Sequence, residues 1–331
     1  MARKLPAKLK WDLVRACREG DLRAVRQLVE ARAAPVEPDP PRPRDSSRPL
    51  CTALADGHLT VARYLLKKGA DVRGRLGDEP LHIASRRGDV PAMKLLIAAG
   101  VDPQRGWFNA GTSLQVAARA GRAAAVRFLL SRKLDPNLTR GDELSPLAGA
   151  AMKGHTAVVR ILLAAGAKPL ARRGEALDYA VEYGQLETAR LLYAGGDRNV
   201  TGFRRDRRTL LHAASDGGHV EIARWLLSLG AARDRAARDY HEHAPLWGAV
   251  IRGHLDVAKL LLAGPISEKH REEALHAALP SPGIKDDPDD PERQRRQEIA
   301  KLLLAFGTPT DSPLIKRAIM RARRCGFLER A

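Results

Sequence analysis

An all-α chain assembled from stacked helix pairs is the fold class this sequence predicts, on three observations. One outline returns along the chain, with a leucine in the same slot at 50, 81, 114, 147, 177, 211, 246 and 275, at intervals of 29 to 35 residues. Inside each copy two apolar bursts at helical spacing are broken by a glycine, as in EPLHIASRRGDVPAMKLLIAAGVD at 79–102. The chain of 331 residues is 44% hydrophobic but only 4% aromatic, so its core is aliphatic, built on Leu, Ala and Val.

Each element of the outline has a local reason. Thr112, Ser145 and Thr209 are placed to cap a first helix through a side-chain oxygen. Pro80, Pro146 and Pro245 suit the first helical position, where a missing N–H costs nothing. Pairs such as Ala117-Ala118, Ala150-Ala151 and Ala213-Ala214 let helices approach closely. Gly57, Gly88, Gly121, Gly154, Gly184, Gly218 and Gly253 fit the left-handed position that ends the first helix. The Leu-rich run is the second helix, ended by Gly69, Gly100, Gly166 or Gly230, and a hairpin-like finger follows. One such unit cannot bury its own apolar face, so stability comes from stacking on the next. If Leu130, Leu163 and Leu227 are buried as the pattern suggests, cutting one to Ala costs about 2–5 kcal/mol. The copy at Glu175 lacks the capping Thr, the Pro and the His, and Lys133 stands where the second helix of its copy expects a glycine.

The repeats that carry this outline include SPLAGAAMKGHTAVVRILLAAGAKP from Ser145 and TLLHAASDGGHVEIARWLLSLGA from Thr209. They resemble the ankyrin repeat, whose pattern near TPLHxAAxxGHxxVVxLLLxxGADxN has a period of about 33. The resemblance covers nearly the whole chain. It implies an ankyrin-repeat solenoid of stacked helix pairs with hairpin-like fingers, about eight full repeats with capping helices at both ends. On that reading 1–34 is an N-terminal capping repeat, 35–47 a Pro-rich insertion, 48–310 the array, and 311–331 a basic C-terminal capping helix. An acidic insertion at 280–292 splits the last repeat. The Pro-rich insertion reads as an extended spacer, although its PxxP spacings beside Arg also fit an SH3-type ligand. The acidic insertion reads as a solvated loop, without the spacing of a calcium-binding EF-hand.

Chemistry finds little foothold. His82, His212 and His276 fall in the TPLH slot, where the family uses imidazole for internal hydrogen bonds, and His58, His155, His219 and His254 in the GH slot. The His241-Glu242-His243 pair has no third ligand nearby. No HExxH, GxxxxGK(S/T), GxSxG or GxGxxG pattern occurs, so no enzyme activity, cofactor or metal is expected. Cys17, Cys51 and Cys325 are far apart, which points to a reducing, intracellular compartment, cytoplasm or nucleus, and no stretch is long and apolar enough for a membrane span.

What remains is the surface. The net charge is +18, which favours an acidic partner, although an Arg-rich composition by itself gives the same sum. The resemblance implies that fingers and the exposed face of the first helices make the contacts. The fingers carry Arg73, Arg75, Arg105, Trp107, Phe108, Arg140, Arg172, Arg173, Phe203, Arg204, Arg205, Arg208, Arg235, Arg238 and Tyr240. First helices add Arg86, Arg87, Arg119, Lys153 and Arg252. Guanidinium forks pair with carboxylate or phosphate, and the interleaved aromatics give rigid contact area. The expected function is a non-catalytic scaffold or adaptor that binds an acidic or extended segment of another protein. Nucleic-acid binding or a regulatory subunit role is the alternative, the former without a supporting motif. Charge reversal at Arg204, Arg205 and Arg208 should then abolish binding without lowering the melting temperature. A second ladder (Arg26, Arg63, Lys94, Arg127, Arg160, Arg190, Arg224, Lys259 and Lys301) reads as a solvated face of the second helices.

Overall fold

The computed structural model describes residues 7–30, 48–72, 80–104, 111–139, 144–169, 175–204, 207–237, 243–280 and 291–328. The regular elements among them are all helices, arranged in two compact units, 1–168 and 169–331. None is long and apolar enough to cross a membrane.

The first unit holds five helix pairs: α1 (Ala7–Glu19) with α2 (Leu22–Glu30), α3 (Pro49–Asp56) with α4 (Leu59–Lys67), α5 (Pro80–Arg87) with α6 (Val90–Ala98), α7 (Ser113–Arg119) with α8 (Ala123–Ser131), and α9 (Pro146–Met152) with α10 (Thr156–Ala164). The second holds α11 (Glu175–Glu182) with α12 (Leu186–Ala194), α13 (Leu210–Asp216) with α14 (Val220–Ser228), α15 (Pro245–Ile251) with α16 (Leu255–Leu262), α17 (Glu268–Ala278) with α18 (Pro291–Ala305), and a closing helix α19 (Pro313–Arg324). Within each unit first helices pack on first helices and most second helices on second helices, so every repeat is covered by its neighbours.

The local signals act as their chemistry requires. Ser145 Oγ accepts from Ala148 N, and Thr112 and Gln115 cap each other reciprocally. The seven first-helix glycines have φ between 69° and 87°. Gly121 shows why: a Cβ there would strain the backbone and meet the His155 ring at 2.7 Å. That ring belongs to the next repeat, and its Nε2 donates to the Arg119 carbonyl. His58, His219 and His254 reach the Arg18, Glu182 and Asp216 carbonyls in the same way. Lys133 adopts the left-handed conformation itself, at φ 63°. All nine residues of the second-helix ladder are exposed.

Three expectations shift. Leu130, Leu163 and Leu227 are only half-buried, whereas Leu129, Leu162 and Leu226 are fully buried. A step of one residue turns a helix by about 100°, and the neighbouring repeat selects which phase faces inward. His276 is exposed, because α17 starts six residues early, behind Ser267, so that His276 falls near its C-terminal end. The first-turn imidazole there is His270, whose Nδ1 lies 2.5 Å from Asp234 Oδ1. Finally, α18 begins at Pro291, so the end of the segment assigned to the acidic insertion is helical. The rest of that insertion (281–290), like the Pro-rich one, lies outside the described residues.

Candidate functional site

In the first unit the ends of successive first helices form a cationic row. Arg86 and Arg87 close α5, Arg119 closes α7, and Lys153 follows α9; all four are exposed. Cations suit these positions because a helix C-terminus carries partial negative charge. Arg87 also donates to the Ala55 carbonyl, in the space left by Gly57. Arg122 does the equivalent toward the Arg86 carbonyl at 2.8 Å. Both guanidinium groups do the work that the GH imidazole does in other repeats. Behind the row, burial and then the charge of Arg86 push the His82 imidazole down to about 4, so it stays neutral at pH 7.

The second unit does not continue the row. The slots held by Arg86 and Arg119 are filled there by Glu182 and Asp216. Its first finger is likewise not a free basic tip. Arg204 is buried, with a side chain only 5% exposed, and this corrects its assignment as a partner-binding residue. Its Nη2 donates to Asp197 Oδ2 at 2.8 Å, its Nη1 to the Asn199 carbonyl at 3.0 Å, and its Nε to Asp178. Asp178 stands in the TPLH slot of the repeat that lacks Thr, Pro and His. Arg204 therefore replaces the missing imidazole as the tie between first helix and finger, which accounts for that repeat's departure from the pattern. These carboxylates hold the Arg204 guanidinium charged more firmly than in water. Arg208 is half-buried and pairs with Asp216 at 2.5 Å. Arg235 donates to the Thr201 carbonyl at 2.6 Å and lies over the Phe203 ring at 4.3 Å. Among the described finger residues, internal contacts thus engage Arg204, Arg208 and Arg235, which the sequence assigns to an outside partner.

A groove of about 410 Å³ opens beside this finger, between α13 and α15. Its features trace to substitutions in repeat slots. Trp247 stands where other repeats hold His212 or Gln115. Those two side chains tie their helix to the next finger, His212 Nε2 donating to the His243 carbonyl and Gln115 Nε2 to the Leu144 carbonyl. The indole of Trp247 instead stacks on the His243 ring, with centroids 4.2 Å apart and planes 16° apart. Gly248 has no side chain, and a Cβ there would overlap Asp216. Ile251, 45% exposed, and the exposed Arg252 edge the groove.

Of the other sequence-assigned site residues, Arg73, Arg75, Arg105, Trp107, Phe108, Arg140, Arg172, Arg173, Arg205, Arg238 and Tyr240 lie outside the described residues, as do His241 and Glu242. Trp247, His243 and Ile251 line the groove but are not among the sequence-assigned contact residues. The available signal was a tryptophan in an imidazole slot. Among the described residues no group of three or more His, Cys, Asp or Glu is placed to hold a metal ion.

A family model of ankyrin repeats matches residues 13–106, 114–202 and 177–272. The chain is 37% identical over 97 residues to palmitoyltransferase Hip14 of Drosophila melanogaster, covering 28% of this chain and 15% of that protein. It is 37% identical over 92 residues to the E3 ubiquitin-protein ligase KEG of Arabidopsis thaliana, covering 27% and 6% respectively. Among solved structures it is similar to the human ASB11 ankyrin repeat domain, with a TM-score of 0.58 and 26% identity over 70% of this chain and 99% of that one. Because the chain matches so small a part of Hip14 and KEG, the activities in their names stay with those proteins.

Proposed function

The chain belongs to the ankyrin repeat family, and on that premise we propose that it is a non-catalytic scaffold or adaptor, whose first unit takes an acidic, extended segment of another protein. The observation that carries this is the row of Arg86, Arg119 and Lys153, exposed at the ends of three adjoining first helices. Packed helices lie about 8–10 Å apart. A segment in the extended polyproline II conformation rises about 3.1 Å per residue with three residues per turn, so a carboxylate at every third residue returns to the same face about 9 Å on and meets a new cation at each step. Fixed backbone supports the row, since Arg122 and His155 bind the Arg86 and Arg119 carbonyls across the repeat boundaries.

The test uses the full chain immobilised and challenged with polyglutamate or with a single-stranded oligonucleotide, at low and at physiological salt. Arg86→Glu, Arg119→Glu and Lys153→Glu are combined in one variant. Each exposed pair contributes about 0.2–1 kcal/mol, so their combined loss weakens polyglutamate binding by about tenfold, while the new carboxylates at helix C-termini lower the melting temperature by only a few degrees. Equal binding by the variant, or preferential retention of the oligonucleotide with a steep salt dependence, overturns the proposal. Capture from native lysate, with the same variant as control, then identifies the partner.

A further inference from the structure

We infer that the groove between α13 and α15 is a second recognition site, which takes an extended peptide carrying an apolar side chain and, two residues on, a carboxylate. The inference rests on the protein-binding reading but on a different surface from the cationic row. Trp247 is the first observation. In the slot where His212 and Gln115 secure the next finger, this repeat has given up that hydrogen bond for a partly exposed indole. Two other repeats also lack an imidazole or amide there, but they fill the slot with the small, buried Cys51 and Ala148, so a large apolar ring left partly exposed is the departure that marks a site. The His243 ring stacked on the indole holds it in one orientation, and a rigid aromatic surface costs little entropy to bind against.

Ile251 is the second observation. It lies one helical turn beyond Trp247, and at 45% exposure it extends the apolar ridge that the indole begins. The two make one surface, of the kind that buries an aliphatic side chain of a partner.

Charge selects the rest of the ligand. Arg252 follows directly and is exposed, and it forms no ion pair with a described residue. Arg208 on the opposite wall is held by Asp216, so among the described lining residues Arg252 is the arginine without a carboxylate partner, and it favours an anionic group beside the ridge. Spacing supplies the register. Five residues of helix from Trp247 to Arg252 rise about 7.5 Å. Two residues of extended peptide cover about 6.6 Å and put both side chains on the same face. The volume of about 410 Å³ lies in the range of about 300–1,000 Å³ that binding clefts occupy.

The probe is the capped peptide Gly-Gly-Leu-Ser-Glu-Gly-Gly, titrated into the full chain while the tryptophan indole N–H resonances are followed by NMR. The chain has four tryptophans, and Trp247→Phe identifies the resonance of interest. The peptide is expected to shift the Trp247 resonance saturably. A lysine in place of the glutamate, or leucine and glutamate made adjacent, should bind more weakly by about tenfold, as should Arg252→Glu and Ile251→Ser. Both substituted side chains are exposed, so these variants keep the fold, and an unchanged thermal melt checks it. An unmoved Trp247 resonance, equal shifts from the lysine peptide, or wild-type binding by both variants overturns the inference. The triple variant of the cationic row should leave the Trp247 shift intact. Loss of polyglutamate binding in that variant, with no Trp247 shift in any protein, removes the groove while leaving the protein-binding reading in place.

Discussion

Replacing Arg204 by methionine should unfold the second unit far more readily while touching no exposed surface. The methionine keeps most of the aliphatic stem and removes only the guanidinium. That group satisfies two carboxylates and one carbonyl, and one of them, Asp197, has a side chain with no exposure at all. Losing one partner of a buried pair costs about 3–5 kcal/mol, because the remaining charge is stranded away from water. Against a domain stability of about 5–15 kcal/mol this is about a fifth of the total or more. Urea unfolding followed by circular dichroism reads it as a lowered midpoint at unchanged slope. Adding Asp197→Asn to the methionine variant removes the stranded charge and should recover part of the loss. A midpoint within about 0.5 kcal/mol of wild type, the size of an ordinary surface substitution, would refute the reasoning. So would a loss of peptide binding at unaltered stability, the outcome that an exposed finger residue gives.

Two further perturbations probe other links. Gly121→Ala should destabilise more than Gly166→Ala: both positions have positive φ, a strain of about 1–2 kcal/mol, but only the first also displaces the His155 ring, whereas nothing lies within 4 Å of the second. Equal losses in urea would show that the inter-repeat histidine bond contributes nothing. His82 is neutral when folded, its value lowered to about 4, against an ordinary value near 6.5 when unfolded. The unfolded chain therefore binds the extra proton between those values, so stability is full above pH 6.5 and falls as pH drops toward 4, by up to about 3 kcal/mol. In His82→Gln the difference between unfolding free energies at pH 7 and pH 4.5 should shrink by much of that amount, and an unchanged difference would count against the assignment.

Much of this molecule was legible before any coordinates, because its signals are short-range. Thr112, Ser145 and the prolines at first helical positions act within one turn, and Gly121 and its equivalents need only their own backbone conformation. The cationic row was legible too, since Arg86 and Arg119 share one slot, five residues past the repeat leucine, and Lys153 stands one residue beyond it at the next helix end. The phase of each Leu-rich helix was not: Leu129 and Leu130 are equivalent by composition, and the packing of the adjacent repeat separates them. Nor was the first-turn imidazole of α17, because His270 and His276 sit on the same helix and only its early start behind Ser267 decides between them.

The same division runs through the candidate sites. Sequence by itself determined the repeat, its bends and the sign of the charge on the helix ends, all of which are decided within about one turn of backbone. Tertiary structure alone decided which arginines face outward. Arg204 and Arg235 look alike in a string of finger residues, but Asp178 lies 26 residues before Arg204 and comes within reach only when the finger folds back on its own repeat. Burial of a charge depends on partners distant in sequence, and so does the opening of a groove over Gly248, where a side chain is missing and the neighbouring Asp216 fills the space.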